Sequence, residues 1–168
     1  DAEAMQKAAA ELAATGSKSI FKQVEKTDDN GNITKKYDTE SIYKSVKSFV
    51  DSYNSLIDSA GDSDTSSVLK KTLWLTNSTK TYEDELKDVG ITIGKDNKLT
   101  IDEDTFKNAN MTDVKSIFNG ANSLAVKTFQ KASDIYNLSN SVINAGSIYD
   151  STASYQALST GQLYDSIF

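Results

Sequence analysis

The amino-acid sequence predicts a mainly α-helical fold with two small β-hairpins, an α+β chain whose helices form an elongated antiparallel bundle with coiled-coil-like stripes. Three observations carry this expectation. Apolar residues recur at spacings of three and four along much of the 168 residues. Two short alternating segments, near residues 22–37 and 91–101, each fold about a turn rich in Asp, Asn and Gly. Proline is absent, so no helix interior carries a breaker and no amide is slow to isomerise. A single helical domain is expected over residues 1–146, with a tail, residues 147–168, that is either flexible or ordered on assembly.

Residues 2–15 (AEAMQKAAAELAAT) are Ala-rich and favour a helix, which Gly16 stops. Met5, Ala8, Ala9 and Leu12 share one side, small enough for a second helix to approach closely. The turn Asp28-Asp29-Asn30-Gly31-Asn32 then joins two alternating flanks as a hairpin. Its oxygen-bearing residues Asp28, Asn30 and Asn32 invite a calcium reading, but an EF-hand loop needs Gly sixth and Glu twelfth. With Gly31 sixth, Lys26 stands first and Tyr37 twelfth, so the segment reads as a plain turn.

A long helix follows from Thr39 as N-cap, with Ile42, Val46, Phe49, Val50, Tyr53, Leu56 and Ile57 on one stripe. It ends in the polar loop Ala60–Asp64. A second long helix is expected from Thr65 to Val89, carrying Val68, Leu69, Leu73, Leu75, Tyr82 and Leu86, with a polar stretch at Thr76–Thr81. Joined by a short loop, the two make an antiparallel helical hairpin.

Residues Gly90–Phe106 (GITIGKDNKLTIDEDTF) are the most ordered local signal. Ile91 and Ile93 alternate with Thr92, Leu99 and Ile101 alternate with Lys98 and Thr100, and Gly94-Lys95-Asp96-Asn97 makes the turn. Asp102, Glu103 and Asp104 then place acidic groups at a helix N-terminus, where they complement the helix dipole. Two short helices, 102–108 and 112–118, precede Asn119-Gly120. The last long helix, about 121–145, carries Leu124, Ala125, Phe129, Ala132, Ile135, Tyr136, Val142 and Ile143. Apolar residues on the first helix and in the tail have few neighbours in sequence, which suggests exposed strips at both ends and hence assembly.

Composition closes most chemistry. With no Cys and no His, thiolate nucleophiles, imidazole bases, Cys or His zinc sites and disulfides are excluded. All eighteen basic residues are Lys, so the planar guanidinium clamp for phosphate and bases is missing. A net charge of −6 opposes nucleic acid and anionic membranes as partners. No run approaches the length of a membrane span, and no basic-then-apolar leader opens the sequence. The first residue, Asp1 rather than Met, suggests a processed chain or a piece of a longer one. Ser is plentiful, but a triad lacks its base, and Gly90 and Gly94 are too isolated to cradle a phosphate. Trp74, the one Trp, reads as a packing residue. No catalytic, metal or cofactor site is expected, and no enzymatic activity.

The order of elements resembles a known family. Phe49-Val50-Asp51-Ser52-Tyr53-Asn54-Ser55-Leu56 is similar to an FV-x-x-YN-x-L pattern in the C-terminal region of the bacterial flagellar filament cap, the hook-associated protein 2 family. Leu86 to Ile93, with Gly90 and Ile91, resembles that family's L-x-D-x-GI segment. Asp96, Lys98, Leu99, Asp102 and Glu103 resemble the D-G-K-L-x-L-D-E that follows, and Val114, Phe118 and Gly120 the V-x-x-L-F-x-G that closes it. The resemblance covers roughly residues 40–120. It departs at Asn97, where the family usually has Gly, a swap Asn tolerates because it accepts positive φ. Residues 1–38 match no motif of the family, and its N-terminal partner segment and outer domains have no counterpart here.

The resemblance implies a non-enzymatic structural protein, exported to the cell exterior without a cleaved signal peptide. It implies a homo-oligomer at the filament tip whose partners are flagellin or other flagellar axial proteins. A chain without Cys or Pro is compatible with passage unfolded and refolding outside. The other reading compatible with the sequence is a helical partner-binding or surface protein unrelated to motility, such as a secretion-system tip component.

Overall fold

The computed structural model describes residues 1–27 and 31–146, the side chains of Lys26 and of 142–146 excepted. Among the described residues are seven α-helices and two antiparallel strand pairs, the α+β class with small hairpins that the sequence predicts. Asp1–Leu138 form one compact unit and Ser139–Phe168 a second, of which only the helical stretch to Gly146 is described. The expected tail, 147–168, and most of the rejected calcium turn, Asp28 and Asn30 included, lie outside the described residues, as do the side chains of Val142 and Ile143.

Helix α1 (Ala2–Ala13) ends before a single 3₁₀ turn at Gly16–Lys18. Its stripe of Met5, Ala8, Ala9 and Leu12 is buried and packs along helix α2 (Thr39–Gly61). The expectation of an exposed strip here is therefore corrected. Small side chains let α1 lie close against α2, which buries the stripe within the chain. Between them, strands β1 (Val24–Thr27) and β2 (Ile33–Lys36) pair with Val24 opposite Lys36 and Thr27 opposite Ile33.

Helix α2 begins one residue earlier than expected. Asp38 is its N-cap, the carboxylate accepting from Ser41 N at 3.2 Å and from Ser41 Oγ at 2.8 Å, so Thr39 becomes the first helical residue. The carboxylate can accept from both donors of Ser41, which favours Asp over Thr at this position. Ile42, Tyr43, Val46, Phe49, Val50, Tyr53, Leu56 and Ala60 are buried.

The expected helix 65–89 is two helices, α3 (Ser66–Lys80) and α4 (Glu83–Asp88). The break falls in the polar stretch: Thr81 Oγ1 donates to Ser78 O at 2.7 Å and Tyr82 N to Thr79 O at 3.0 Å, tightening the last turn. Helix α3 also presents a different face from the expected one. Val68, Thr72, Leu75, Thr76 and Thr79 are buried, whereas Leu69, Leu73 and Trp74 are exposed. Trp74 is thus not a core residue. Thr can face the interior because Thr72, Thr76 and Thr79 each donate to a carbonyl of their own helix, leaving a methyl to pack.

Strands β3 (Ile91–Ile93) and β4 (Leu99–Ile101) pair with Ile91 opposite Ile101 and Ile93 opposite Leu99. Ile91 and Leu99 are buried and Thr92 and Thr100 exposed, the alternation expected of a hairpin with one face packed. Asn97 takes φ 62°, the left-handed conformation for which Asn is suited. Helices α5 (Glu103–Asn108), α6 (Met111–Phe118) and α7 (Leu124–Gly146) follow. Met111 belongs to α6, which Asn110 caps. Helix α7 starts at Leu124, later than expected, because Ser123 Oγ accepts from Val126 N at the helix start. Leu124, Ala125, Ala132 and Ile135 are buried, but Phe129 and Tyr136, expected on the same stripe, are exposed.

Candidate functional site

Most of the residues singled out in the sequence meet in one joint between α2, the β3–β4 hairpin and the two short helices, while Gly120 stands exposed beyond it. Asn54 is its polar centre. Its Nδ2 donates to Leu99 O at 2.8 Å while its Oδ1 accepts from Leu99 N at 2.8 Å. The side-chain amide thus pairs with β4 as a neighbouring strand would, satisfying both backbone groups of one residue from a helix. Beside it, Lys98 Nζ reaches Asp58 at 2.7 Å, and Asp96 Oδ1 accepts from Lys98 N at 3.1 Å within the turn.

Gly90 closes the other end of the hairpin. Its carbonyl accepts from Asp102 N at 2.8 Å, extending the pairing beyond Ile91 and Ile101. With φ 80°, a Cβ there would lie 2.9 Å from Thr105 Cβ and 3.0 Å from Phe106 N. The residue must therefore lack a side chain both for its backbone and for the approach of α5. Asp102 caps α5, accepting from Thr105 N at 2.7 Å, and Thr105, by side chain and then backbone, holds its carboxyl below the usual aspartate range.

Glu103 does more than complement a helix dipole. It accepts from Lys107 at 2.6 Å and from Tyr43 Oη at 3.1 Å, and Lys107 also reaches Glu40 at 2.7 Å. The Lys107 ammonium sits 4.9 Å from the centre of the Tyr43 ring, which itself tilts against Phe106 at 5.9 Å. These contacts fasten α5 to the first turns of α2. Hydrogen bonds from Lys107 hold the carboxyls of Glu40 and Glu103 below their ordinary range, and the two carboxylates push Lys107 well above the ordinary lysine value.

The apolar motif residues lie beneath. Phe49 meets Phe118 edge-on at 5.5 Å, and Val50, Tyr53, Leu56, Ile91 and Val114 are buried with them. Gly120, following Asn119, accepts from Ser123 N and leads the chain to α7. Neither the Tyr53 nor the Thr128 hydroxyl, both buried, has a partner of hydrogen-bond geometry. Burial pushes the Tyr53 hydroxyl pKa up, with the nearby Thr79 hydroxyl opposing it.

Asn119, Tyr43, Lys107 and Glu40 were not singled out in the sequence. Asn119 Nδ2 donates to Leu12 O and Ala14 O at 2.8 and 2.9 Å, satisfying the C-terminal carbonyls of α1. Its partners lie more than a hundred residues away, and nothing local announces them. Outside the joint, the described surface offers an apolar groove of about 420 Å³ between α1 and α7, lined by Ala10, Ala13, Ala14, Val126 and Phe129 among others. It also offers the outer face of α3. No cluster of His, Cys, Asp or Glu among the described residues could hold a metal ion, and no described helix is long and apolar enough to cross a membrane. Comparison with protein-family models, curated proteins and solved structures yields no match.

The arrangement gathers packing and hydrogen-bonding groups rather than reactive ones. Its carboxylates are committed to lysines, a hydroxyl and a helix N-terminus, and its half-buried polar pair, Asn54 with Leu99, is used within the fold. Such a joint fixes the angle between helices and hairpin.

Proposed function

We propose that this chain is a non-catalytic structural protein of the bacterial flagellum, acting as a filament cap does: exported, assembled with copies of itself at the filament tip, and guiding flagellin into place. The observation that supports this reading is the convergence of three sequence segments on one joint. The F and N of the helix motif, the L of the hairpin motif and the F of the closing motif come from three segments far apart in sequence. They meet as Asn54 with Leu99 and Phe49 with Phe118, so the segments on which the resemblance rests act as one unit. A rigid joint suits a protein that must hold a fixed geometry against subunits arriving beside it.

A second reading, a helical partner-binding protein such as a secretion-system tip component, draws support from the exposed Leu69, Leu73 and Trp74 of α3. Deleting the coding region in its own bacterium separates the two. The cap reading expects flagellin shed into the medium, shortened or absent filaments and lost motility, each restored by the intact gene. Normal filaments and motility in the deletion strain would overturn it.

A further inference from the structure

Helix α3 turns its smaller, hydroxyl-bearing side chains inward and its larger apolar ones outward. Thr72, Thr76 and Thr79 are buried, while Leu69, Leu73 and Trp74 stand 43%, 57% and 50% exposed. At the helical repeat, Leu69, Lys70, Leu73, Trp74, Asn77 and Lys80 fall on the outward half, and each of them is exposed. Leu69 with Leu73, and Lys70 with Trp74, form neighbouring four-residue steps, the ridge spacing on which another helix seats.

The face is also basic. Helix α3 carries Lys70, Lys71 and Lys80 and no acidic residue, in a chain of net charge −6. Lys71 is held by Asp134 at 3.1 Å. Its ammonium lies 4.8 Å from the Trp74 ring centre, and that of Lys131 lies 5.7 Å from it. Lys70, Lys80 and Lys131 form no ion pair among the described residues.

We propose that the outer face of α3 docks an acidic amphipathic helix of a partner protein, its apolar ridge against Leu69, Leu73 and Trp74 and its carboxylates toward Lys70, Lys80 and Lys131. Charge selects this occupant, since a basic helix would be repelled and a neutral one would gain nothing from the lysines. A second copy fits less well. The acidic positions of α2 and α4 lie on helices whose apolar residues are mostly buried, and Asp134, the acidic residue of α7 near the exposed Phe129 and Tyr136, is already held by Lys71. An anionic membrane would also match the lysines, and anionic vesicles distinguish it from a helix. The proposal rests on α3 alone and stands apart from the flagellar reading.

Trp74 is the one tryptophan, so its fluorescence reports this face directly. The full chain is titrated with a synthetic helical peptide of Leu and Glu at helical spacing, and in parallel with its twin in which every Glu is Lys. The acidic peptide is expected to shift Trp74 emission to the blue with saturation, binding at least roughly tenfold tighter than the basic twin. Leu73→Ser and Lys70→Glu are each expected to weaken it roughly tenfold. Both positions are exposed, so circular dichroism and melting midpoints should match the parent chain. No shift, equal binding of the two peptides, or undiminished binding by Leu73→Ser overturns the proposal. So does a blue shift that appears only with anionic vesicles, or that appears on concentrating the protein alone.

Discussion

Gly90 answers to two constraints that are separable by mutation. Gly90 and Gly31 have nearly the same φ, 80° and 82°, but a Cβ at Gly90 would meet Thr105 and Phe106 at 2.9–3.0 Å, whereas at Gly31 it meets nothing within 4 Å. Gly31→Ala is expected to cost about 1 kcal/mol for the left-handed backbone alone. Gly90→Ala should cost more than about 2 kcal/mol, because the overlap adds to it, and paired denaturant midpoints measure the difference. The Lys107 cluster makes a second residue-scale prediction. Glu40 and Glu103 have folded pKa values below the ordinary 4.5, so their contribution is present above pH 4.5 and is lost as pH falls through the depressed folded values. Lys107, raised above 10.5, contributes fully below pH 10.5 and loses its share as pH rises from there through its raised value. Lys107→Met should therefore flatten the fall of the denaturant midpoint below pH 4.5. The groups are exposed, so the effect is modest and shrinks in about 1 M salt. The sequence showed Asp102 and Glu103 as a helix start, and Asp102 is one. It did not show that Glu103 also meets Tyr43, because that contact spans sixty residues.

At the scale of elements, helix and hairpin are joined by one amide. Asn54→Ala removes both bonds to the Leu99 backbone and is expected to cost about 2 kcal/mol. Asn54→Asp should cost at least as much, since it loses the donor and sets a carboxylate against the Leu99 carbonyl, and urea titrations with an unchanged slope would show both. The two hairpins differ in the same terms. Strands β3 and β4 bury Ile91 and Leu99, whereas every described side chain of β1 and β2 is exposed, Ile33 to 67%. A two-stranded hairpin without a packed face is marginal in water, so amides of β1 and β2 should exchange with solvent well before those of β3 and β4. Alternation and turn residues made both hairpins legible in sequence. Which one would be covered depends on α2, and no local pattern carries that. Helix α3 shows the same limit, because apolar spacing identified a helix but could not tell that locally satisfied threonines would take the inward face.

At the scale of the molecule, Asn119, just past α6, satisfies the last carbonyls of α1 across more than a hundred residues. Long-range contacts of this kind slow folding in proportion to the chain that must close, yet the chain contains no proline and no cysteine. Refolding from denaturant should therefore lack a phase of tens of seconds and be insensitive to a prolyl isomerase. Stopped-flow fluorescence of Trp74 would reveal such a phase if it existed. This behaviour suits a chain that must refold promptly after passage through a narrow channel, as the cap reading requires.

The sequence by itself determined the α+β class, the position of nearly every helix and both hairpins, the turn conformation at Asn97, and the absence of thiol and imidazole chemistry. These follow from local periodicity, turn residues and composition, which need no knowledge of the rest of the chain. Only the tertiary structure decided that α1 is buried against α2, that the helix at 65–89 breaks, that Trp74 faces outward, and that Asn54, Gly90 and Lys107 hold one joint. Each depends on which surfaces meet across tens of residues. There, close packing and the pairing of buried polar groups outweigh the preferences of any single segment.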